Sequence, residues 1–450
     1  MNICKKYVAL ILVVLFCFAA ACPVSAAEKA DWETKWDAVT QDGAVLAISP
    51  GKDSSEMRFC WLSGLTEKNA FRLGKTSDLN DAIILKVSER LTLTAQKRCT
   101  VCAQNLELDT TYYYSYMKNG TWSNIYSFRT DKTDAPFTAL FISDVQLGRS
   151  GDWKEKEVLL HDVTGWDTAL QNALSDHPEA TLCLSAGDQA EIGAAEKQYR
   201  LFLAPDALRS LPVAPTVGNH EFYFPYLNLH FDLPNRVKSS AIHFLGDEPY
   251  YFTKGNALFI VLDTNDIFSF DHESVLEKAV RAYPDTKWRV VLMHHSLYSC
   301  EDSETEMPAL RKSLSPLMQK YGINLVLSGH THRYSRSYPI WDGAVSENGV
   351  VYLECGCTSG SNPKACPNET PSYAAAGYKA SDPSYCVLDF GEDAIEITSY
   401  AVVNGDSIRM DGGTVSLYAR DDTNAQMSFF AKLLQIALSC FGRAVSLLYA

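Results

Sequence analysis

Two rhythms of apolar residues divide the chain. From about Asp31 to Thr130, apolar and polar positions alternate over short stretches. Examples are Met57-Arg58-Phe59-Cys60-Trp61-Leu62, Leu91-Thr92-Leu93-Thr94 and Thr111-Tyr112-Tyr113-Tyr114-Ser115-Tyr116. A period of two is that of a strand with one buried face. Asn119-Gly120 separates the tyrosine run from Trp122 and Ile125-Tyr126-Ser127-Phe128, a hairpin signal. Such strands predict a β-sandwich over residues 31–131, followed by the linker Asp131-Lys132-Thr133-Asp134-Ala135-Pro136.

Beyond Pro136 the runs become continuously apolar, at 137–142, 181–185, 213–217, 258–262, 288–293 and 323–327. Helical periodicity separates them, most clearly at 158–174 and 308–321. Strands buried on both faces and alternating with helices predict an α/β domain, closed by strands at 350–354, 385–390 and 394–402 and extending over 136–403. Residues 425–450 predict an amphipathic helix, with Met427, Phe430, Leu434, Leu438, Phe441, Val445 and Leu448 on one face. Lys432 and Arg443 leave too short an uncharged run to span a bilayer. Packing on the protein and contact with a membrane surface both stay open for this helix.

Composition narrows the partners. The 450 residues are 46% hydrophobic and 21% charged, as in folded chains, and long enough for two domains. A formal charge of −14 provides no basic surplus for a nucleic-acid backbone, so no nucleic-acid partner is expected. Small phosphorylated substrates remain compatible, because bound cations invert the local field. Lys5 and Lys6, an apolar stretch from Tyr7 to Ala21 and the small residues Val24-Ser25-Ala26-Ala27 predict a signal peptide over 1–27, hence a secreted or cell-surface protein. Ala19-Ala20-Ala21-Cys22 loosely resembles a lipoprotein cleavage box without its leucine. Outside the leader ten of the thirteen cysteines remain, an even number that permits disulfides. Cys99 and Cys102 form one CxxC without a second pair, and Cys355, Cys357, Cys366 and Cys386 cluster late; structural bridges or buried thiols are expected over a zinc site.

The chemistry lies where apolar runs end. Asp144, Asp188, Asn219 and His294 each close one run, and His330 and His332 follow Leu327-Ser328-Gly329. In open α/β sheets the carboxyl ends of strands converge on the binding crevice. Carboxylate, amide and imidazole ligands without thiolate fit harder or borderline metals. Two ions need a bridging carboxylate, for which Asp188 is the natural choice. Gly187, Gly218 and Gly329 suit tight turns beside such a site. Each piece alone reads as a turn or a structural histidine. The ordered series Ser-Asp-Val-Gln, Gly-Asp-Gln-Ala-Glu, Gly-Asn-His-Glu, Leu-Met-His-His and Gly-His-Thr-His does not.

That series resembles the calcineurin-like metallophosphoesterases. The segments Phe259-Ile260-Val261-Leu262-Asp263-Thr264-Asn265, 288–299 and 329–337 are similar to those of purple acid phosphatases. Thr111-Tyr112-Tyr113-Tyr114 and Ser127-Phe128-Arg129-Thr130 resemble that family's fibronectin-III-like module, and the resemblance covers roughly 37–402. It implies a fibronectin-III-like β-sandwich followed by an α/β metallophosphoesterase domain of two sheets flanked by helices, a four-layer αββα sandwich. By position, Asp144, Asp188 and His332 would hold a first metal, and Asp188, Asn219, His294 and His330 a second. The cofactors implied are two divalent or mixed-valence transition metal ions, Fe, Mn or Zn. A hydroxide made available by the ions would attack phosphorus in line. His220 would face the phosphate, stabilising charge or protonating the leaving oxygen, with His295 beside the ligands rather than among them.

Three departures stand out. Glu191 occupies the position of the tyrosine that ligates ferric iron in purple acid phosphatases, which predicts a protein without the purple colour. Gln146 stands where the wider class has histidine, so Gln146 and Glu191 compete to complete the first site. The family's further substrate-contacting histidine has no match in 300–307, where Glu301, Asp302, Glu304 and Glu306 form an acidic patch. The leading expectation is an exported phosphomonoesterase. Phosphodiester hydrolysis at the same centre, and a surface binding protein with a vestigial centre, are the alternatives.

Overall fold

The computed structural model describes residues 26–118, 120–222, 227–238, 249–266, 269–301 and 308–417. Residues 1–25 of the expected leader and the C-terminal amphipathic helix lie outside the described residues, as does most of the acidic patch.

The first strand-rich unit begins at Ala47–Pro50 and ends at Tyr126–Arg129, in two sheets whose strands pair antiparallel. Its inner faces are aromatic. Phe59, Trp61, Phe71, Tyr114, Tyr116 and Phe128 are all buried, and the rings of Phe59 and Phe71 lie 4.6 Å apart. The two deepest tyrosines each find an acceptor, Tyr114 on the Arg209 carbonyl at 2.7 Å and Tyr116 on that of Ala44 at 2.9 Å. Buried hydroxyls require this. Alternation also separates the CxxC pair: on strand Lys97–Ala103, Cys99 is buried and Cys102 half-buried, three positions apart and hence on opposite faces.

Residues expected as strand from Asp31 onward instead start with a helix, Ala26–Gln41. Its sequence is rich in Ala, Glu and Lys, all good helix formers. Only Trp32 and Trp36 mark a buried face, too little periodicity to detect. Both indoles are buried, against helices Lys156–Asp176 and Glu196–Leu203 of the following domain. Trp32 donates from Nε1 to Asp167 at 3.1 Å, and Lys35 lies 3.9 Å from its ring centroid.

The second domain contains a six-stranded and a seven-stranded sheet. In the first, Phe137–Ile142 pairs in parallel with Ala180–Ser185, which pairs in parallel with Val213–Pro215. In the second, Ala257–Val261, Trp288–Leu292, Leu325–Ser328 and Val351–Glu354 run parallel in that order. Both faces of these strands are buried, as their unbroken apolar runs require. Phe141, Leu184, Phe259, Val290, Leu353 and Val387 share one core with the helix at Lys156–Asp176. On the opposite face Leu258, Ile260, Val291 and Val326 pack with residues of helices Ser269–Ala282 and Pro308–Lys320. The domain continues past residue 403: Ala394–Val403 turns through Asn404 and Gly405, both at positive φ (54° and 90°), into an edge strand, Asp406–Ser416. Low hydrophobicity hid this strand, since only one of its residues is fully buried.

Trp32→Ala should lower the unfolding free energy by about 3–5 kcal/mol, the usual cost of emptying a large aromatic site. Trp32→Phe should lose less than half of that. Urea titrations of both variants check the ranking; an Ala variant as stable as the parent would show that the helix does not dock.

Candidate metal centre

Every one of the expected ligands lies at the carboxyl end of a parallel strand or in the turn that follows it. The turns are unusual in backbone. Asp144, Gln146, Asp188, His330 and His332 all have positive φ, at 48°, 41°, 50°, 78° and 62°. For an L-residue that conformation costs on the order of 1 kcal/mol, and such strain collects where a site needs side chains aimed abnormally. Parallel bonding holds the first two turns together: Asp144 N–H donates to the Gly187 carbonyl at 3.2 Å, and Gln146 N–H to that of Asp188 at 2.7 Å. Glycine is required twice. A Cβ on Gly218 would collide with the Asp188 carboxylate, and one on Gly329 with Ser143 and the Asp144 carboxylate.

Side chains spread over nearly two hundred positions converge there. Asp144, Asp188 and His294 each present one ligand atom, all within 4.8 Å of one another. His294 Nε2 lies 2.9 Å from Asn219 Oδ1, 3.3 Å from Asp188 Oδ2 and 3.2 Å from His330 Nδ1. His330 Nδ1 lies 3.0 Å from Asn219 Oδ1. Ligands about 2.1 Å from one ion stand roughly 3.0–3.4 Å apart, which is this spacing. His332 Nε2 lies 3.6 Å from Asp144 Oδ1 on the other side.

Neighbouring groups settle the tautomers. His294 donates from Nδ1 to the Ala186 carbonyl at 2.8 Å, and His332 from Nδ1 to that of Asn362 at 2.8 Å. Each leaves Nε2 for a cation. Asp144 Oδ2 accepts the His330 N–H at 2.9 Å and the Ser143 hydroxyl at 2.5 Å, while Oδ1 is buried without a hydrogen-bond partner. Gln146 Oε1 is likewise buried and unbonded. An orphaned buried acceptor costs about 1–3 kcal/mol, and two in one site fit a cation as the missing partner.

Electrostatics say the same. Burial alone would raise the Asp188 carboxyl, but His294 and the His220 N–H hold it below the ordinary carboxylate range. Burial pulls His294 down, yet Asp188 and Asp144 lift it to about 10. His332 rises to about 9 against burial, through Asp144 and the Cys357 thiol. Protons thus occupy the place of positive charge that ions would take.

Glu221 was not singled out as a site residue, although it ends the Gly-Asn-His-Glu motif. It is fully buried and accepts the N–H groups of Asp188, Ala190 and Gly218 at 3.0, 3.0 and 2.8 Å. Burial first, then Asp188, pushes it up to about 8. It ties the second and third ligand turns together. His220 is half-buried; its N–H donates to Asp188 Oδ1 at 3.0 Å and its Nδ1 to the Glu191 carbonyl at 2.7 Å. His295 is held by Thr264 Oγ1 at 2.9 Å from Nδ1, and burial drives its pKa well down.

A disulfide joins Cys300 to Cys366. Its loop carries the Asn362 carbonyl beneath His332, and Lys364 N–H donates to the His332 carbonyl at 3.0 Å. Arg333 ties the same strap down, through the Ala365 carbonyl at 2.9 Å and Glu301 at 3.1 Å. Cys60, Cys99, Cys102, Cys183, Cys355, Cys357 and Cys386 are free thiols.

Residues 137–334 match the calcineurin-like phosphoesterase family, and residues 45–130 match the purple acid phosphatase N-terminal domain. The chain combines those two domains. Purple acid phosphatase 1 of Ipomoea batatas is 30% identical over 185 residues, 36% of this chain and 37% of the relative. The Mycobacterium tuberculosis protein Rv2577 is 25% identical over 270 residues, covering 52% and 50%. This chain therefore spans at most about half the length of these curated relatives. Among solved structures, the purple acid phosphatase PPD1 of yellow lupin seeds shares the fold, with a TM-score of 0.67, 17% identity and coverage of 85% of this chain and 76% of that one. The structure of PhoD does so at 0.59, with 15% identity, covering 87% and 99%. The second domain, with its converging carboxylates and imidazoles, is therefore the part of the chain that matches a phosphoesterase family.

Metal binding to the phosphoesterase domain should release protons. With His294 and His332 protonated up to about 10 and 9, loading both sites at pH 7 should displace about two protons. Affinity should rise about tenfold per pH unit for each proton displaced, the slope halving above about pH 9 and levelling above about pH 10. Titration calorimetry of Mn²⁺ into stripped protein, in two buffers of different ionisation enthalpy, counts them. The metal-free protein behaves oppositely. The raised histidines stabilise it fully below their unfolded pKa of about 6.5, a contribution lost as pH rises through 9 and 10.

Proposed function

We propose that the chain is an exported, metal-dependent phosphoric ester hydrolase acting on small phosphomonoesters at a binuclear centre. The observation that carries this reading is the convergence of Asp144, Asp188, Asn219, His294, His330 and His332 around two orphaned buried oxygens. In this reading Asp144, Asp188, His332 and Gln146 would hold the first ion, and Asp188, Asn219, His294 and His330 the second. Transition metal ions held there, Fe, Mn or Zn, would supply Lewis-acid activation and a hydroxide nucleophile near neutral pH.

The protein's own residues do the rest. The buried Asp188 carboxylate, held by its turn and by the His220 N–H, sits between the two ligand groups. The hydrogen bonds of His294 and His332 to backbone carbonyls keep both rings oriented. His220, with Nδ1 given to the Glu191 carbonyl, keeps Nε2 for a phosphoryl oxygen or the leaving group. The names of relatives, purple acid phosphatase 1 and the phosphoenolpyruvate phosphatase of Allium cepa, support monoester over diester substrates. The disulfide supports export. Two antiparallel sheets, and a Tyr112 hydroxyl that accepts the Glu107 N–H at 2.9 Å in the manner of a tyrosine corner, support a fibronectin-III-like module. A four-layer arrangement of helices and sheets for the catalytic domain is supported by cores on both faces of the seven-stranded sheet.

Asp188→Asn should lower kcat/KM for nitrophenyl phosphate by at least about 10³-fold, the several kcal/mol that two correctly held ions supply. Unchanged turnover in that variant would sink the mechanism. Parallel assays with bis-nitrophenyl phosphate and added Mn²⁺ decide between ester classes. Iron-loaded protein should show no visible charge-transfer band, because Glu191 replaces the phenolate.

A further inference from the structure

Three polar side chains at the edge of the site meet on one carboxylate. Glu191 Oε2 accepts from Gln146 Nε2 at 2.9 Å and stands 3.4 Å from His220 Nδ1. Its Oε1 accepts from Arg149 at 3.1 Å, and its main-chain carbonyl accepts from His220 Nδ1 at 2.7 Å. Its own N–H donates to the Leu147 carbonyl at 3.2 Å, within the zipper that joins the first two ligand turns. A carboxylate can only accept. Gln146 must therefore turn its NH₂ toward Glu191, which fixes its other end, Oε1, on the opposite side. That oxygen is buried without a partner, in a residue 1% exposed.

We infer that Glu191 is a positioning residue and not a metal ligand: it holds Gln146 so that the amide oxygen completes the first ion's site, and holds His220 beside it. Arg149 draws the Glu191 carboxylate outward and balances its charge. The first site then has one neutral oxygen where a phenolate or a third carboxylate would have been anionic, so it favours a divalent over a trivalent ion. This rests on the binuclear reading above and deepens it.

The test uses binding alone. Mn²⁺ affinity and stoichiometry are measured by calorimetry on the stripped full-length protein and on Gln146→Ala, Glu191→Ala, Glu191→Gln and the Gln146→Ala/Glu191→Ala double variant, with Asp188→Asn as control. Two sites are expected in the parent. Gln146→Ala and Glu191→Ala should each weaken one site by about 10–100-fold and spare the other, as loss of a ligand's support does. Glu191→Gln keeps an acceptor oxygen and should recover most of the loss, which also shows that position 191 tolerates change without unfolding. The double variant should bind no more weakly than Gln146→Ala, because one residue acts through the other. Additive losses would make Glu191 a ligand and overturn the inference, as would two undisturbed sites in Glu191→Ala. If Asp188→Asn kept both sites, or the parent lacked two, the binuclear reading itself would fall and this inference with it.

Discussion

Two carboxylates buried at the ends of neighbouring strands set the terms for the rest of this domain. Asp144 and Asp188 are 0% and 1% exposed, and each is aimed inward by a left-handed turn. Burying such charges costs several kcal/mol apiece unless positive charge lies close. Imidazole rings arrive from the opposite sheet to provide it, His294 at 3.3 Å from Asp188 and His332 at 3.6 Å from Asp144. The two acids in turn lift both imidazoles well above their ordinary range, so the buried carboxylates find positive charge in the rings themselves.

Holding that cluster together falls to acidic side chains around the ligand turns. Glu221 gathers three backbone N–H groups from two turns, and Glu191 gathers Gln146, Arg149 and His220. Glu354 accepts the hydroxyls of Thr331 and Ser335 at 2.5 and 3.0 Å from beneath the Gly-His-Thr-His turn. Burial raises that carboxyl to about 7. Each of these acids is a fastener between a ligand turn and its neighbour. Ligand turns carry strained backbone, and fasteners are how a packed scaffold retains it.

The strand-rich N-terminal unit is bound into the same frame. Arg58 and Arg98 reach Asp232 at 2.9 and 3.3 Å, and Arg98 also donates to the Phe231 carbonyl at 2.7 Å. Asp232 lies twelve residues beyond His220 in the chain. On the far side, the helix Ala26–Gln41 seats two tryptophans against the second domain. The unit therefore adjoins the segment that follows the third ligand turn.

Much of this was legible beforehand. Short uninterrupted apolar runs bounded by turns suit strands buried on both faces, so the α/β character of the domain was written in residues such as Phe137–Ile142 and Trp288–Leu292, but not the order of its strands in two sheets. The ligand types at the run ends pointed to a metal crevice because strand polarity puts all carboxyl ends on one edge. The helix at Ala26–Gln41 and the strand at Asp406–Ser416 escaped notice, since neither buries enough apolar surface to impose a period. Nor could sequence pair Cys300 with Cys366, place Gln146 against Glu191, or show that Glu221 and Glu354 are fasteners. Those outcomes depend on which side chains, far apart along the chain, face each other across the crevice. Sequence by itself determined which residues end strands and carry ligand atoms, because periodicity and residue chemistry are local. Tertiary structure alone decided which atoms share a hydrogen bond, because that is set by packing between turns that the chain order does not place together.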